Sequence, residues 1–422
     1  MVTALGLALA IAPPLGAEWK TGAAKVNITP ERALWLAGYV GRNHAAEGKL
    51  TDLWAKALAF EDGQGRRAVL ITLDLVGLDR ELSKSICDAL HRAYGLSRPQ
   101  VAICASHTHT GPVVGKNLAP MHYELLNAQQ REWTTEYAET LRGKIVQVAG
   151  QALASLEVSR LSWGSGVATF AVNRRNNREP EVPRLRQQGA LVGPSDHDVP
   201  VLAVHDSQGA LRAVVFGYAC HATVLDLYLW SGDYPGFAQA ELETRHPGCV
   251  AMFWAGCGAD QNPLPRRTVE LAQHYGSRLA AAVDAVLLTT RLSPVPDRIE
   301  TRFMEVPLTL DTLPQTYPYP IGIWRIGDDI SFITLGGEVV VDYALRLKNE
   351  LGGPKTWVAG YSHDVMAYIP SRRVWEEGGY EGADAMVYYG LPARWAVDVE
   401  DAIVTRVVAE CRHAAARCGG QR

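Results

Sequence analysis

The sequence predicts an α/β fold, built as a single large mixed α/β domain with a metal site at its strand ends, and three observations point to it. Short apolar runs alternate with stretches of helical periodicity, the pattern of sheet strands joined through helices. The runs are apolar throughout, as in strands covered on both faces. No internal repeat or low-complexity linker divides the 422 residues, although typical domains hold roughly 100–200 residues.

Taken in order, residues 68–78 (AVLITLDLVGL) and 101–106 (VAICAS) read as buried strands on either side of an amphipathic helix near 80–94. Tyr137, Leu141, Ile145, Val148 and Ala152 recur every three or four residues and mark one face of a long helix. Residues 212–220 (RAVVFGYAC) and 249–256 (CVAMFWAG) are further strands, and Leu271, Tyr275, Leu279, Val283 and Val286 mark another helix. Residues 329–337 (DISFITLGG) make a strand, and Val399, Ile403, Val407 and Cys411 line a last helix. Loops rich in Pro, Gly and Asn are expected at 172–198, 262–268 and 311–320.

Hydrophobic residues at 47% and charged residues at 20% describe an ordinary globular chain. The net charge of −4 and pI near 6.3 give no electrostatic case for a nucleic-acid or anionic-membrane partner. The basic stretch NRRNNR at 173–178 reads as a solvated loop.

Residues 5–16 (LGLALAIAPPLG) fall short of the about 20 needed to span a bilayer. They look like the apolar part of a secretory signal cut after Ala17, which predicts a signal at 1–17, a mature domain at 18–422 and a secreted or periplasmic location. Against this, no Lys or Arg precedes the stretch and Leu15 is large for its place before the cut, so a buried or frayed N-terminus is the competing reading. No transmembrane segment is expected. The seven cysteines are sparse and form no CxxC. Cys249 and Cys257 are a candidate disulfide for an exported chain, whereas Cys104 and Cys220 read as small buried hydrophobes.

The chemistry collects where strands end. In CASHTHTGP (104–112), His107 and His109 are two apart, a spacing that on a strand turns both imidazoles to one side. His221 closes the run in YACHATVLD (218–226), and Glu338 follows two glycines in TLGGEVVVDY (334–343). Strand ends of open α/β sheets converge on a crevice, which lets such distant residues meet. Singly, His221 reads as a hydrogen-bonded core histidine and Glu338 as a cap for the following helix. From His107 onward, HxHxDH fails at Gly111 and Pro112, which removes two ligands of a second metal. HExxH, GxSxG and a phosphate-binding loop are all absent. Zinc held by His and carboxylate ligands is the inference that remains.

Together the motifs resemble the neutral/alkaline non-lysosomal ceramidases, specifically their N-terminal catalytic domain. SHTHTGP is similar to that family's paired-histidine motif, and His221 with the GDYPG turn (232–236) to its next segment. GGEVVV resembles its glutamate motif, and YIPSRRVWEEGGYEGA (368–383) its paired-tyrosine motif. The resemblance runs from about residue 20 to about 400.

It implies one zinc per chain, bound by His107, His221, Glu338 and Tyr368. It also implies that His109 and Tyr380 meet the reacting carbonyl and that Arg174 meets the substrate. Where the family carries a serine, CGADQNPLPR (257–266) has Gln261 or Asp260. A serine nucleophile is thereby excluded at this site, zinc-activated water is expected to attack, Asp260 is expected to orient it and Gln261 to position substrate. A chain of 422 residues is also expected to lack the family's C-terminal immunoglobulin-like domain.

The expected activity is hydrolysis of the amide of ceramide or a ceramide-like N-acyl lipid. A different amide or ester substrate, and a non-catalytic zinc-stabilised binding protein, are the alternatives. Trp35, Trp54, Trp230 and Trp254 could line an acyl channel, although most tryptophans of this kind read simply as core. Oligomeric state is not legible in the sequence.

Overall fold

The alternation of side chains within the strands decides how many layers the molecule has. In a computed structural model describing residues 18–288 and 292–419, eight strands form the main path of a large sheet. They are β1 (Trp19–Asn27), β2 (Trp54–Glu61), β3 (Arg67–Leu73), β4 (Val101–Ala105), β5 (Glu157–Val167), β6 (Asp198–Asp206), β7 (Leu211–Tyr218) and β8 (Val250–Ala255). Their order is β8-β7-β6-β5-β1-β2-β3-β4, parallel in the outermost pairs β7–β8 and β3–β4 and antiparallel between. A second sheet holds β9 (Ile299–Thr309), β10 (Thr316–Ile326), β11 (Ile330–Leu335) and β12 (Thr356–Ala359) in chain order. The expected signal segment, residues 1–17, lies outside the described residues.

Odd and even positions of each large-sheet strand enter different cores. Ala55, Ala57, Val69, Ile71, Val101 and Ile103 face α1 (Arg80–Tyr94) and α2 (Ala128–Ala154). Across the sheet, Val214, Phe216, Ala251 and Phe253 face α3 (Asp233–Arg245) and α4 (Val269–Leu287). The alternate residues, among them Leu58, Phe60, Leu202, Val215 and Trp254, point the opposite way and meet Trp324, Phe332 and Trp357 of the second sheet. That sheet presents Ile321, Ile323, Ile333 and Val358 to α5 (Val341–Leu351) and α6 (Val399–Gly419). The result is four layers, helices on a sheet on a sheet on helices, held by period-two burial.

The expected helices and buried strands are present, with α1 at 80–94 as read. The antiparallel strands β1, β2, β5, β6, β9 and β10 were not legible as apolar runs. Lys20 and Lys25 interrupt β1, Lys56 interrupts β2 and Arg160 interrupts β5, and Lys56 is itself buried, its Nζ bonded to Glu243 at 2.8 Å and the Ala251 carbonyl at 2.7 Å.

Three expectations need correction. Residues 316–320 belong to β10 and not to a loop; β11 reaches only to Ile321, so Pro318 and Pro320 lie where β10 has one neighbour and a missing N–H costs little. Cys249 and Cys257 are free, placed at opposite ends of β8 and so separated by roughly 3.3 Å per residue of strand, beyond disulfide reach. Trp230 and Trp254 are buried in the cores, and Trp35 and Trp54 pack outside the cavity described below, so none of the four lines a channel there.

The sheet-on-sheet interface tolerates no extra atom beside Trp254. A Cβ added to Gly217 would lie 2.2 Å from the indole six-membered ring. Gly217→Ala is expected to destabilise by about 1–3 kcal/mol in denaturant unfolding. Trp254→Phe removes the clashing ring, so the double variant should cost clearly less than the two singles added; strict additivity would refute this packing account.

Candidate metal centre

The two large-sheet segments that carry the histidines are stitched together by the chain just after β12. Gly360 N donates to the Ala255 carbonyl at 3.1 Å on the β8 side. On the β4 side, Ala105 N donates to Tyr361 O at 3.2 Å and His363 N to Ile103 O at 2.9 Å. Tyr361 N and Ser362 N reach Gly337 O and Leu335 O, beside Glu338. One extended segment thus fixes the places from which His107, His221 and Glu338 project.

His107 lies beyond the end of β4, with φ +60°. Both imidazoles reach one space through a turn, and not through the strand alternation expected of their spacing. The left-handed backbone costs of order 1–2 kcal/mol in a residue with a Cβ. The flanking threonines hold the turn: Thr108 Oγ1 and Thr110 Oγ1 donate to the Ser231 carbonyl at 2.8 and 2.7 Å. His109 N donates to Ala222 O, and Tyr361 stacks on the His107 ring at 4.1 Å.

Hydrogen bonding sets the tautomers. His107 Nδ1 donates to Val76 O at 2.6 Å and His221 Nδ1 to Gly258 O at 2.7 Å. Both Nε2 lone pairs therefore face inward, and each lies 3.1 Å from Oε2 of Glu338. His109 Nε2 is 3.1 Å from His107 Nε2, and the three histidines bring ligand atoms within 4.8 Å of one another. Burial pushes His221 down to about 4, with Arg174 adding to the effect, so its ring is neutral at pH 7. Burial opposes ionisation of Glu338, and positive charge at the Nε2 atoms of His107 and His221, from a proton or a bound cation, is what draws its carboxyl well below the usual range. Acceptors thus converge on an acceptor in a buried space, an arrangement that a divalent cation satisfies. The donor set, imidazole nitrogens with a carboxylate, suits zinc.

Tyr368 is delivered to the same place by a two-residue parallel pairing, Glu338 opposite Tyr368. Its hydroxyl accepts from Arg174 Nη2 at 3.2 Å, and burial keeps it protonated in the absence of a cation. Arg174 is in turn held by Glu381, Nε to Oε1 at 2.7 Å. The ring of Tyr380 lies 5.2 Å from that of Tyr368, and His109, Arg174, Tyr368 and Tyr380 all border a cavity of about 620 Å³.

Asp260 and Gln261 do not border that cavity. Asp260 Oδ1 accepts from Val341 N, closing the first turn of α5, and Oδ2 accepts from Asn173 Nδ2, both at 3.0 Å. Gln261 Nε2 donates to Pro194 O at 3.1 Å. Their backbones do the positioning instead: Asp260 O accepts from Arg174 N and Gln261 O from His221 N. Both side chains are thus engaged in structural contacts away from the cavity, so the geometry lends no support to the water-orienting role expected of Asp260 or the substrate role expected of Gln261. Glu338 likewise caps no helix, since Val340 holds that position at the start of α5.

Several neighbours escaped the sequence reading. Tyr389 donates its hydroxyl to Glu338 Oε1. Tyr39 sets its ring edge-to-face with His109 at 4.7 Å. Gly38, at φ +96°, lets the backbone pass where a Cβ would lie 2.4 Å from the His109 ring. Glu381 stands in the tyrosine motif, one residue after Tyr380, and is the one that motif spacing could have marked.

Fold and site together define an α/β protein with a buried histidine–carboxylate centre open to a cavity. The family model described as neutral/alkaline non-lysosomal ceramidase, N-terminal, matches residues 19–253, and the chain belongs to that family. The neutral ceramidase of Pseudomonas aeruginosa is 27% identical over 260 residues, which cover 58% of this chain and 37% of that protein. Neutral ceramidase B of Dictyostelium discoideum is 24% identical over 269 residues, 59% and 36% of the two chains. The chain thus matches little more than a third of the length of these relatives. The crystal structure of the Pseudomonas aeruginosa neutral ceramidase superposes with a TM-score of 0.76 at 20% identity, over 95% of this chain and 75% of that one, a likeness of fold.

The loop over His109 has its own pH dependence. Gly38 N donates to His122 Nε2 at 2.9 Å, and burial, with Arg42 adding to it, pushes His122 down to about 4. The unfolded imidazole, near 6.5, binds a proton that the folded one refuses. Stability from this group is therefore complete above pH 6.5 and falls as pH drops toward 4, by up to about 1.4 kcal/mol per pH unit. His122→Gln should flatten that part of the stability profile in denaturant unfolding at pH 4.5–7; an unchanged profile would refute the assignment.

Proposed function

We propose that this chain is a zinc-dependent amidohydrolase and that residues 18–422 form its hydrolase domain, carrying one zinc held by His107, His221, Glu338 and Tyr368. The observation that carries the reading is the convergence of the two inward Nε2 lone pairs on Glu338 Oε2, each at 3.1 Å, next to a cavity large enough for a substrate. When bound, zinc supplies a Lewis acid and brings the pKa of water down to about 7. His107 and His221 are oriented for it by Val76 O and Gly258 O, and Tyr389 steadies Glu338.

The substrate class is an amide: the relatives are named neutral ceramidases, and a ceramide-like N-acyl compound is the reading they support. Water adds to the amide carbonyl carbon, the C–N bond breaks, and the leaving amine takes a proton. Tyr380, 41% exposed at the cavity and pushed up to about 12 by burial first and Glu338 next, remains a phenol that donates to the developing oxyanion, together with or in place of His109. Arg174, locked by Glu381 and Tyr368, positions the substrate. Cys257 is not the nucleophile: it is fully buried in the second core, and burial pushes its thiol well above the ordinary value. Among the described residues no helix is long and apolar enough to cross a membrane. A location outside the cytoplasm rests on residues 5–16 alone.

Metal analysis tests the centre directly. Purified chain should carry about one zinc, and His221→Ala should lose most of it; full occupancy in that variant would remove the assignment.

Turnover tests the chemistry. Tyr380→Phe should keep zinc and lower kcat on an N-acyl amide about 100-fold. His109→Ala should also keep zinc and lose turnover, whereas equal zinc loss in His107→Ala and His109→Ala would make His109 a ligand. A zinc-loaded chain that cleaves no amide or ester would leave the binding-protein reading in its place.

A further inference from the structure

The cavity beside the centre is built for charge. Leu264 is the aliphatic side chain among its described lining residues, where an acyl chain would call for many. Five arginines border it: Arg174, Arg175, Arg178, Arg266 and Arg267. Three carboxylates oppose them, and these are already shared. Glu381 takes both Arg174 and Arg175, Glu377 takes Arg175 and also Arg373 outside the cavity, and Glu179 takes Arg266 through both oxygens.

Two cations are left over. Arg178 is exposed and makes no ion pair among the described residues. Arg267 pairs with Asp226 at 3.3 Å, in an ion pair that solvent screens on both sides, and its side chain also hydrogen-bonds Tyr39. Its backbone is held at φ +93°, a strained value for a residue with a Cβ, by Arg267 N donating to Val224 O at 2.7 Å. That backbone brings the guanidinium over the Tyr39 ring at 5.1 Å, and the same ring packs on His109. A guanidinium whose ion pair is solvent-screened, one aromatic ring away from His109 and on a rim where arginines outnumber carboxylates, can take an anion at the cavity.

We propose that the substrate is an N-acyl amide whose non-acyl half carries an anionic group, a carboxylate, sulfonate or phosphate, seated between Arg178 and Arg267. This rests on the amidohydrolase reading and departs from a ceramide-like head group, which carries no anion: the polar cavity takes the head group, and an uncharged one leaves Arg178 without a partner and Arg267 with Asp226 alone.

The test separates recognition from hydrolysis. Binding of two uncleavable ethers, dodecyloxyacetate and 2-dodecyloxyethanol, to the zinc-loaded chain is measured by calorimetry. The anionic ether should bind at least about tenfold tighter. Arg178→Gln with Arg267→Gln should abolish that preference, and Arg178→Gln alone, which breaks no contact, should reduce it. Equal affinities would overturn the proposal, and so would a preference that survives the double variant, since the carboxylate would then be binding the metal. In parallel, N-dodecanoylglycine should be turned over with at least about tenfold higher kcat/KM than N-dodecanoylethanolamine, through a lower KM that rises with salt. Selective binding of the ether with no cleavage of either amide would overturn the hydrolase reading and leave the recognition standing. Cleavage of both amides with equal kcat/KM would overturn the head-group proposal alone.

Discussion

The short run from Ala359 to His363 is the constraint on which the centre depends. The large sheet ends in parallel pairs at either side, and its strand order alone would leave the β4 end and the β7–β8 end apart. Bridges from Ala359 to Gly256 and from Ser362 to Cys104 close that gap with backbone hydrogen bonds, and the same residues bond to the turn before Glu338. Buried backbone groups are obliged to pair, so this seam is not free to open without leaving several of them unsatisfied. The side chains of Tyr361 and His107 then stack across it.

How much of this was legible follows from what each strand is surrounded by. β3, β4, β7, β8 and β11 are covered on both faces and read as apolar runs. β9 is not: most of its residues are part-exposed, and Arg302 and Glu305 break the pattern. The ligand candidates were legible because polar residues ending an apolar strand are conspicuous and because four motifs occur in the order of a known family. Their meeting at a crevice was expected of strand ends, but the device that produces it, the Ala359–His363 seam, was not legible, because its sequence AGYSH carries no strand signal of its own. Asp260 shows the opposite failure. A buried carboxylate next to a catalytic motif suggests chemistry, yet its partners Val341 N and Asn173 make it a structural brace, and only coordinates separate the two.

The cavity and the cores divide the aromatic residues by function. Tryptophans fill the interface between the sheets, where large flat side chains offset the small alanines of the opposite faces. Tyrosines surround the centre, where a hydroxyl is needed as well as a ring: Tyr389 on Glu338, Tyr368 on Arg174, Tyr39 on two backbone carbonyls. The arginine-rich rim stands outside both sets: its ion pairs leave Arg178 unanswered and Arg267 matched only by a solvent-screened Asp226.

The ligand candidates also come from both sheets: His107 and His221 follow strands of the first, Glu338 and Tyr368 belong to the second half of the chain. A cation bridging them cannot nucleate either half, because no local stretch presents more than the His107–His109 pair. It would bind only after β4, β8 and β12 have met, and so would act late on a folding route dominated by contacts between distant parts of the sequence. Such an ion would add to the barrier against separating the layers and would do little to speed their formation. Newly made chain would therefore pass through a metal-free, fully layered state, and the lifetime of the finished protein, rather than its rate of assembly, is what the cation would control.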